Sequence, residues 1–361
     1  QVKKGIDNIY NTQLFDKVSV NLINEPAGHA LIIKVVEKKY NVMRIGGKVG
    51  SERGAQIYGE WADENFLGNA HILYLNGRYG DMDRYIGFNY RVDRFFETNF
   101  TMNMKLMYDW KRMPLIFAGE EEGEYREQRN GVRFGLGVQL KKLGQISVDL
   151  RLENVKVSPF SGDLTESQKQ KVTQNSELRT LTVKSVTDKR DDIAFPKSGI
   201  YNLWFWETAN QNIAQGQEKY TKTYINLEGF YSYLSRHTLH FRGQIGIADQ
   251  TLPFSEWFRI GGLHDFIGLH ESEYFGRQVL IGTIEYRYRL PISIASDLHL
   301  AIRYDIGGIW ENPDLVLKRE DFFNGYGGWI GMNTILGPLF IGYGEMSSQN
   351  GIFYISLGYD F

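Results

Sequence analysis

The chain has 361 residues, 42% of them hydrophobic, with a mean hydropathy of −0.36 and a formal net charge of −2. The near-neutral charge gives no electrostatic footprint for a nucleic-acid partner. No stretch approaches the roughly 18–20 consecutive apolar residues of a membrane helix, but a membrane β-barrel alternates apolar with polar residues and so keeps its mean hydropathy low.

The 39 Gly, 22 Tyr and 22 Phe, with aromatic residues at 14%, suit strands and interfacial girdles. Cysteine is absent, which avoids stray disulfides in an oxidising compartment. The chain opens Gln1-Val2-Lys3-Lys4 with no signal peptide, so for an exported protein it is expected to be a mature or truncated piece.

Residues 1–39 differ from the rest. Val2, Ile6, Ile9 and Tyr10 fall at helical spacing, and two strand-like runs follow, Val18–Ile23 and His29–Val36, separated by a turn at Pro26-Ala27-Gly28. This helix-strand-strand unit is small for a domain and reads as the back half of one.

From Asn41 the pattern is period two. Candidate strands lie near 41–50, 53–63, 69–79, 83–93, 98–111, 124–141, 145–157, 178–188, 198–209, 219–233, 237–249, 278–290, 297–310, 324–336, 338–346 and 350–361. That makes about sixteen, an even number suited to a closed antiparallel barrel over residues 40–361. In 278–290, Leu280, Ile284, Tyr286, Tyr288 and Leu290 oppose Thr283, Glu285, Arg287 and Arg289. In 297–306, Leu298, Leu300, Ile302, Tyr304 and Ile306 oppose His299, Arg303 and Asp305. In 98–110, Phe100, Met102, Met104, Leu106, Tyr108 and Trp110 oppose Asn103, Lys105 and Asp109. An Arg or Lys on the lipid face at mid-membrane costs about 2–4 kcal/mol, so the charged face must be wet or internally paired. A large soluble β-sandwich or soluble barrel would also alternate, but sixteen long strands with aromatic outer faces fit it poorly. The last strand places Phe353, Ile355, Leu357, Tyr359 and Phe361 on one face, and its terminal aromatic resembles the C-terminal signal of bacterial outer-membrane proteins, read by the barrel-assembly machinery.

Four segments carry a family resemblance. The first is Gly5-Ile6-Asp7-Asn8-Ile9-Tyr10 through Phe15-Asp16-Lys17-Val18 to Val36-Glu37. The second is Asp191-Asp192-Ile193-Ala194-Phe195-Pro196-Lys197-Ser198-Gly199, in which Asp192, Phe195, Pro196 and Gly199 form a tight turn before a strand. The third is Phe258-Arg259-Ile260-Gly261-Gly262 with Gly268 and Gly276, ahead of Glu285-Tyr286-Arg287. The fourth is Tyr304-Asp305-Ile306-Gly307-Gly308-Ile309-Trp310. In this order they resemble the POTRA-plus-barrel superfamily of outer-membrane proteins (the bacterial surface antigen type), which takes in BamA, TamA, the two-partner secretion transporters and the barrels of patatin-like autotransporters.

The resemblance implies an all-β fold: an outer-membrane barrel of about sixteen antiparallel strands, with residues 1–39 a partial periplasmic α+β POTRA domain. It also implies a sixth extracellular loop folded back into the barrel. Many members carry Arg-Gly-Phe/Tyr at that loop's tip, where the Arg pairs with a lumen acid; here the matching residues are Ile267-Gly268-Leu269. Glu285 and Asp305 then need other partners, for which Arg287, Arg303, His264 and His270 are candidates. The altered tip is closer to the patatin-linked barrels.

No Gly-x-Ser-x-Gly elbow, His-Glu-x-x-His helix or Gly-x-x-x-x-Gly-Lys loop is present, so no catalytic residue, metal site or cofactor is assigned. His237 and His240 sit on opposite strand faces, and Glu120-Glu121-Glu122 reads as a solvated loop.

Three functions remain open. The chain could be the anchoring and translocating barrel of a patatin-like protein whose hydrolase domain lies upstream. It could be an assembly or secretion barrel, or, least in keeping with the folded-in loop, a passive porin. Implied partners are outer-membrane phospholipid and lipopolysaccharide, the barrel-assembly machinery, a passenger or substrate polypeptide, and a second copy in a homodimer.

Two features are expected at the site. Gly46, Gly47 and Gly50 in the first strand, with Gly351 and Gly358 in the last, predict a short or poorly bonded lateral seam, or else relief of crowding at a bend. Residues 253–277 are expected in the lumen, with Arg259, Glu285, Arg287, Arg303 and Asp305 in one charge network that holds the loop as a plug; the alternative is a set of charges lining a solvated channel.

Overall fold

A computed structural model describes residues 9, 14–26, 28–94, 98–117, 120–140, 144–293, 296–312, 318–347 and 350–359. Apart from Ile9, the expected N-terminal helix lies outside the described residues, as does the terminal Phe361. Strands β1 (Phe15–Glu25) and β2 (Gly28–Glu37) form an antiparallel hairpin running from Phe15↔Glu37 to Glu25↔Gly28.

The remaining long strands close a sixteen-stranded antiparallel barrel. In chain order they are β3 (Asn41–Gly50), β4 (Gly54–Phe66), β5 (His71–Gly80), β6 (Asp83–Val92), β7 (Phe100–Phe117), β8 (Glu120–Gln139), β9 (Gln145–Gly162), β10 (Gln174–Asp188), β11 (Gly199–Ala209), β12 (Tyr220–Tyr233), β13 (His237–Ala248), β16 (Gln278–Ser293), β17 (Asp297–Trp310), β18 (Phe323–Thr334), β19 (Gly337–Met346) and β20 (Ile352–Gly358). Two short strands, β14 (Phe258–Ile260) and β15 (Tyr274–Gly276), pair within the loop between β13 and β16.

Period-two side-chain placement decides which face is which. On β17, Ile302 is 63% exposed on the outside, while the neighbouring Arg303 and Asp305 are 5% and 0% exposed inside. With no water core to shelter in, a membrane strand must pair all its backbone groups, and closure into a barrel supplies the partners. The strands β7–β10 run longer than their alternation predicts. Their extra residues leave the membrane band and build a separate core at the long-loop end. There Met113, Leu115, Tyr125, Val155, Val157 and Leu178 pack with Leu252, Phe254 and Trp257 from the loop after β13. A short helix, α1 (Glu166–Lys171), joins this dome; Thr165 caps it in a reciprocal capping box with Gln168.

Candidate functional site: the loop-filled lumen and the seam

The loop after β13 enters the barrel from the long-loop end. It descends through β14, turns at Gly261 and Gly262 (φ +129° and +99°) and returns through β15. Its tip is enclosed: Phe266, Ile267 and Leu269 are fully buried. Gly268 sits at φ +90° with its Cα against β19, where an added Cβ would lie 2.6 Å from the carbonyl carbon of Glu345. Only a residue without a side chain fits that approach.

The expected charge network divides in two. On one wall, Asp305 accepts from Arg303 Nε at 2.8 Å, from Thr283 Oγ1 at 2.5 Å and from the backbone N of Ile267 at 2.8 Å. Arg303 donates onward to the carbonyls of Leu263 and Asp265, and Arg242 donates to those of His264 and Asp265. Glu285 accepts from Arg287 Nε at 2.5 Å and Trp329 Nε1 at 2.8 Å, with His240 Nδ1 3.4 Å away. The carboxylates of Asp305 and Glu285 are thus enclosed (0% and 1% exposed) and line no open channel.

Arg259 departs from the expectation. It lies at the loop's mouth, where Glu127 of β8 is 3.3 Å away, and belongs to the opposite wall with Arg129, Arg151, Lys222 and Glu256. The two candidate histidines also take other roles. His264 packs edge-on against Phe340 at 4.6 Å, and His270 lies 3.4 Å from Glu52. Asp305, for which the resemblance leads one to expect a partner from the loop tip, is held by Arg303, already on the wall, and by the backbone amide of Ile267.

A second insertion enters from the end that carries the hairpin. In the turn after β10, Asp192 Oδ1 accepts from the amides of Ala194 and Phe195, and Asp191 Oδ1 from those of Lys197 and Ser198. Pro196 presets the chain's direction, and Gly199 leaves the turn at φ +111°. The Phe195 ring is thereby driven into the lumen. It stacks on His299 at 4.7 Å and Phe340 at 5.0 Å, in one cluster with Leu263 and Ile267 from the loop. Arg287 Nη1 reaches the Pro196 carbonyl at 3.4 Å, so the turn and the Glu285 group are joined. The two insertions, far apart in sequence, meet inside the barrel.

Among the described residues the barrel closes between β20 and β3 over three ladder pairs, Ser356↔Gly50, Leu357↔Val49 and Gly358↔Lys48, with Ser51 N donating to Ile355 O at 2.9 Å just beyond them, against ten pairs between β17 and β18. Among the described residues, 41–47 of β3 have no strand partner on the seam side. Gly358 closes the described ladder at φ +114°, where an added Cβ would run into the Gly47 carbonyl, while Gly46 pairs with Tyr58 of β4 and Gly351 faces the Tyr343 ring. The buried loop is tied to both sides of this seam. Tyr354 on β20 accepts from Gly268 N and donates to Leu269 O, and just past β3 Glu52 accepts from Glu271 N while Arg53 donates to Glu271 at 2.7 Å. Tyr354, Glu52 and Arg53 were not singled out from sequence, although Tyr354's place between outward Phe353 and Ile355 marks it as an inward polar group.

The Omp85 superfamily domain matches residues 65–361. No curated protein matches the sequence. Among solved structures, BamA from Haemophilus ducreyi lacking POTRA domains 1-3 superposes with a TM-score of 0.81 at 14% identity, over 99% of this chain and 77% of that one. CdiB from Acinetobacter baumannii gives 0.61 at 13% identity, over 99% and 68% of the two chains. CdiB from Escherichia coli gives 0.63 at 11%, over 99% and 69%. At these identities the likeness is one of fold, whereas the domain match spans most of the sequence: the chain belongs to the Omp85 superfamily of outer-membrane barrels.

Proposed function

We propose that this barrel inserts or exports other polypeptides through its β3–β20 seam, with the β1–β2 hairpin as the last two strands of a POTRA domain on the periplasmic side and the long loops outside. The observation that carries the reading is the short β3–β20 closure, three ladder pairs among the described residues, beside an edge of β3 that has no strand partner among them. A free strand edge is a template for another strand, whose backbone it can satisfy. Most of a sixteen-stranded wall is held by ladders too long to part, so the seam is the place where opening costs least.

The test uses the absence of native cysteine. Val49→Cys with Leu357→Cys places two thiols at directly paired positions. In the full-length protein reconstituted in liposomes, insertion of a radiolabelled outer-membrane barrel should fall when the pair is oxidised and return on reduction. Equal activity in both states would count against the seam.

One observation favours the patatin-linked reading: the loop tip is Ile267-Gly268-Leu269, without the arginine that many superfamily members carry there. The sequence upstream of residue 1 separates the two, through a Gly-x-Ser-x-Gly hydrolase domain or further POTRA repeats.

A further inference from the structure

The outer wall of β6–β9 changes from apolar to polar toward the long-loop end. From Phe100 to Trp110 the outward residues of β7 are apolar or aromatic, about 34 Å along the strand, which a tilt near 40° reduces to about 25 Å along the axis, the height of an apolar membrane band. The next outward residue is Arg112. On the neighbouring strands the outward residues turn polar one or two register steps earlier: Ile86 gives way to Arg84 on β6, Val132 to Asn130, Gln128 and Arg126 on β8, and Leu152 to Asn154 and Lys156 on β9.

The strand register brings these cations together. Arg112 and Arg126 are directly opposite each other. One level below, Arg84, Trp110, Gln128 and Lys156 form a continuous row across four strands. Three strand spacings put Arg84 and Lys156 about 14 Å apart. Arg84 is sandwiched between Tyr79 at 5.3 Å and Trp110 at 4.8 Å, which holds its guanidinium flat against the wall. Arg126 donates only to Ser158 Oγ among the described residues, and Arg84 and Lys156 have no ion pair among them. Among the described residues, Glu124, 2.9 Å from Arg112, is the one outward carboxylate of β6–β9 near these cations, and Glu177 on the adjoining β10 lies 3.4 Å from its own Arg179. Like charges directly opposite on a sheet repel, and a wall that tolerates four cations against one acid at the edge of a membrane band is built to meet anions there.

We propose that Arg84, Arg112, Arg126 and Lys156 form a binding site for the headgroup of a bisphosphorylated glycolipid in the leaflet at the long-loop end. The Arg112–Arg126 pair takes one phosphate in fork geometry and Lys156 or Arg84 takes the second, while the acyl chains lie on the apolar band beneath. The leaflet named here rests on the sidedness in the proposed function; the site itself does not.

The test is native mass spectrometry of the detergent-purified barrel with bisphosphoryl lipid A, monophosphoryl lipid A or phosphatidylglycerol. Bisphosphoryl lipid A should bind tightest, and Arg112→Gln with Arg126→Gln should weaken it by about tenfold or more, the scale of one lost charge-assisted contact. Heat-modifiable gel mobility reports folding. If the double variant does not fold, Lys156→Gln, at an exposed position, should show a loss of similar size. Equal binding of phosphatidylglycerol, displacement by millimolar inorganic phosphate, or unchanged affinity in the folded variants would each overturn the site. Protease accessibility of the loops on whole cells reports the sidedness separately.

Discussion

The phenol oxygen of Tyr354 sits between two backbone groups of the buried loop, accepting from Gly268 N at 2.9 Å and donating to Leu269 O at 2.8 Å. A strand next to the seam is thereby bonded to the plug. Tyr354→Phe keeps the ring and deletes both bonds, leaving a buried amide and carbonyl unpaired at a cost of about 1–3 kcal/mol. The variant should fold, melt at lower temperature and show a higher frequency of open-channel events in planar bilayers. Wild-type conductance in this variant would remove the plug from control of the seam.

Deleting an acid on the β16–β17 wall should do more. Asp305→Ala strands Arg303 in a site where it is 5% exposed, and Glu285→Ala does the same to Arg287, whose side chain is 11% exposed. Removing one member of a buried pair costs about 3–5 kcal/mol, because the remaining charge keeps its desolvation penalty without its partner. Asp305→Ala also releases the Ile267 amide, so it should free the loop and raise ion conductance above Glu285→Ala. Wild type should be nearly closed. A wild type that conducts like an open porin, matched by both variants, would rule out plugging by this network.

The strands were legible because lipid and lumen impose opposite demands on alternate residues, as in Leu300-Ala301-Ile302-Arg303-Tyr304-Asp305. The far ends of β7–β10 were not, because above the membrane band both faces can be wet or covered and the alternation loses its meaning. The Asp192–Gly199 turn and the Gly261–Gly262 bend were visible as turn chemistry. What each would touch was not, since Phe195 finds Leu263 only through the closed barrel. Arg259 was misgrouped for a related reason: alternation says which way a strand residue points but cannot say which wall a loop residue will reach. Alternation places Tyr354 inward, between Phe353 and Ile355, but cannot say that its hydroxyl will meet the loop.

The seam glycines differ in how much they matter. At Gly358 the backbone sits at φ +114° and a Cβ would lie 2.1 Å from the Gly47 carbonyl, so Gly358→Ala must shift backbone and pays about 1–3 kcal/mol in strain. With so short a described ladder to hold it, the closure should part. At Gly351 the added Cβ meets the Tyr343 ring, a side chain free to rotate away. Disulfide yield between Val49→Cys and Leu357→Cys should therefore drop in the Gly358→Ala background and hold in Gly351→Ala. The reverse order would mean that Gly358 does not set the closure.

The loop's second tie to the seam is titratable. His270 lies 3.4 Å from Glu52, and that contact raises its pKa above the usual histidine value, against a smaller opposing effect of burial. The other charged groups nearby are Glu273 and Glu121, which favour the cation as well, and the Arg53–Glu271 pair alongside. A pKa raised on folding contributes stability that is fully present below the unfolded value near 6.5 and is lost as pH rises through the folded value. The tie should thus be strongest in mild acid and weaken above neutrality. Channel openings of the wild-type barrel should become more frequent between about pH 6 and pH 8, and His270→Gln, which keeps a hydrogen-bonding side chain without the titratable ring, should flatten that dependence. If His270→Gln keeps the full pH response, the sensing group lies elsewhere.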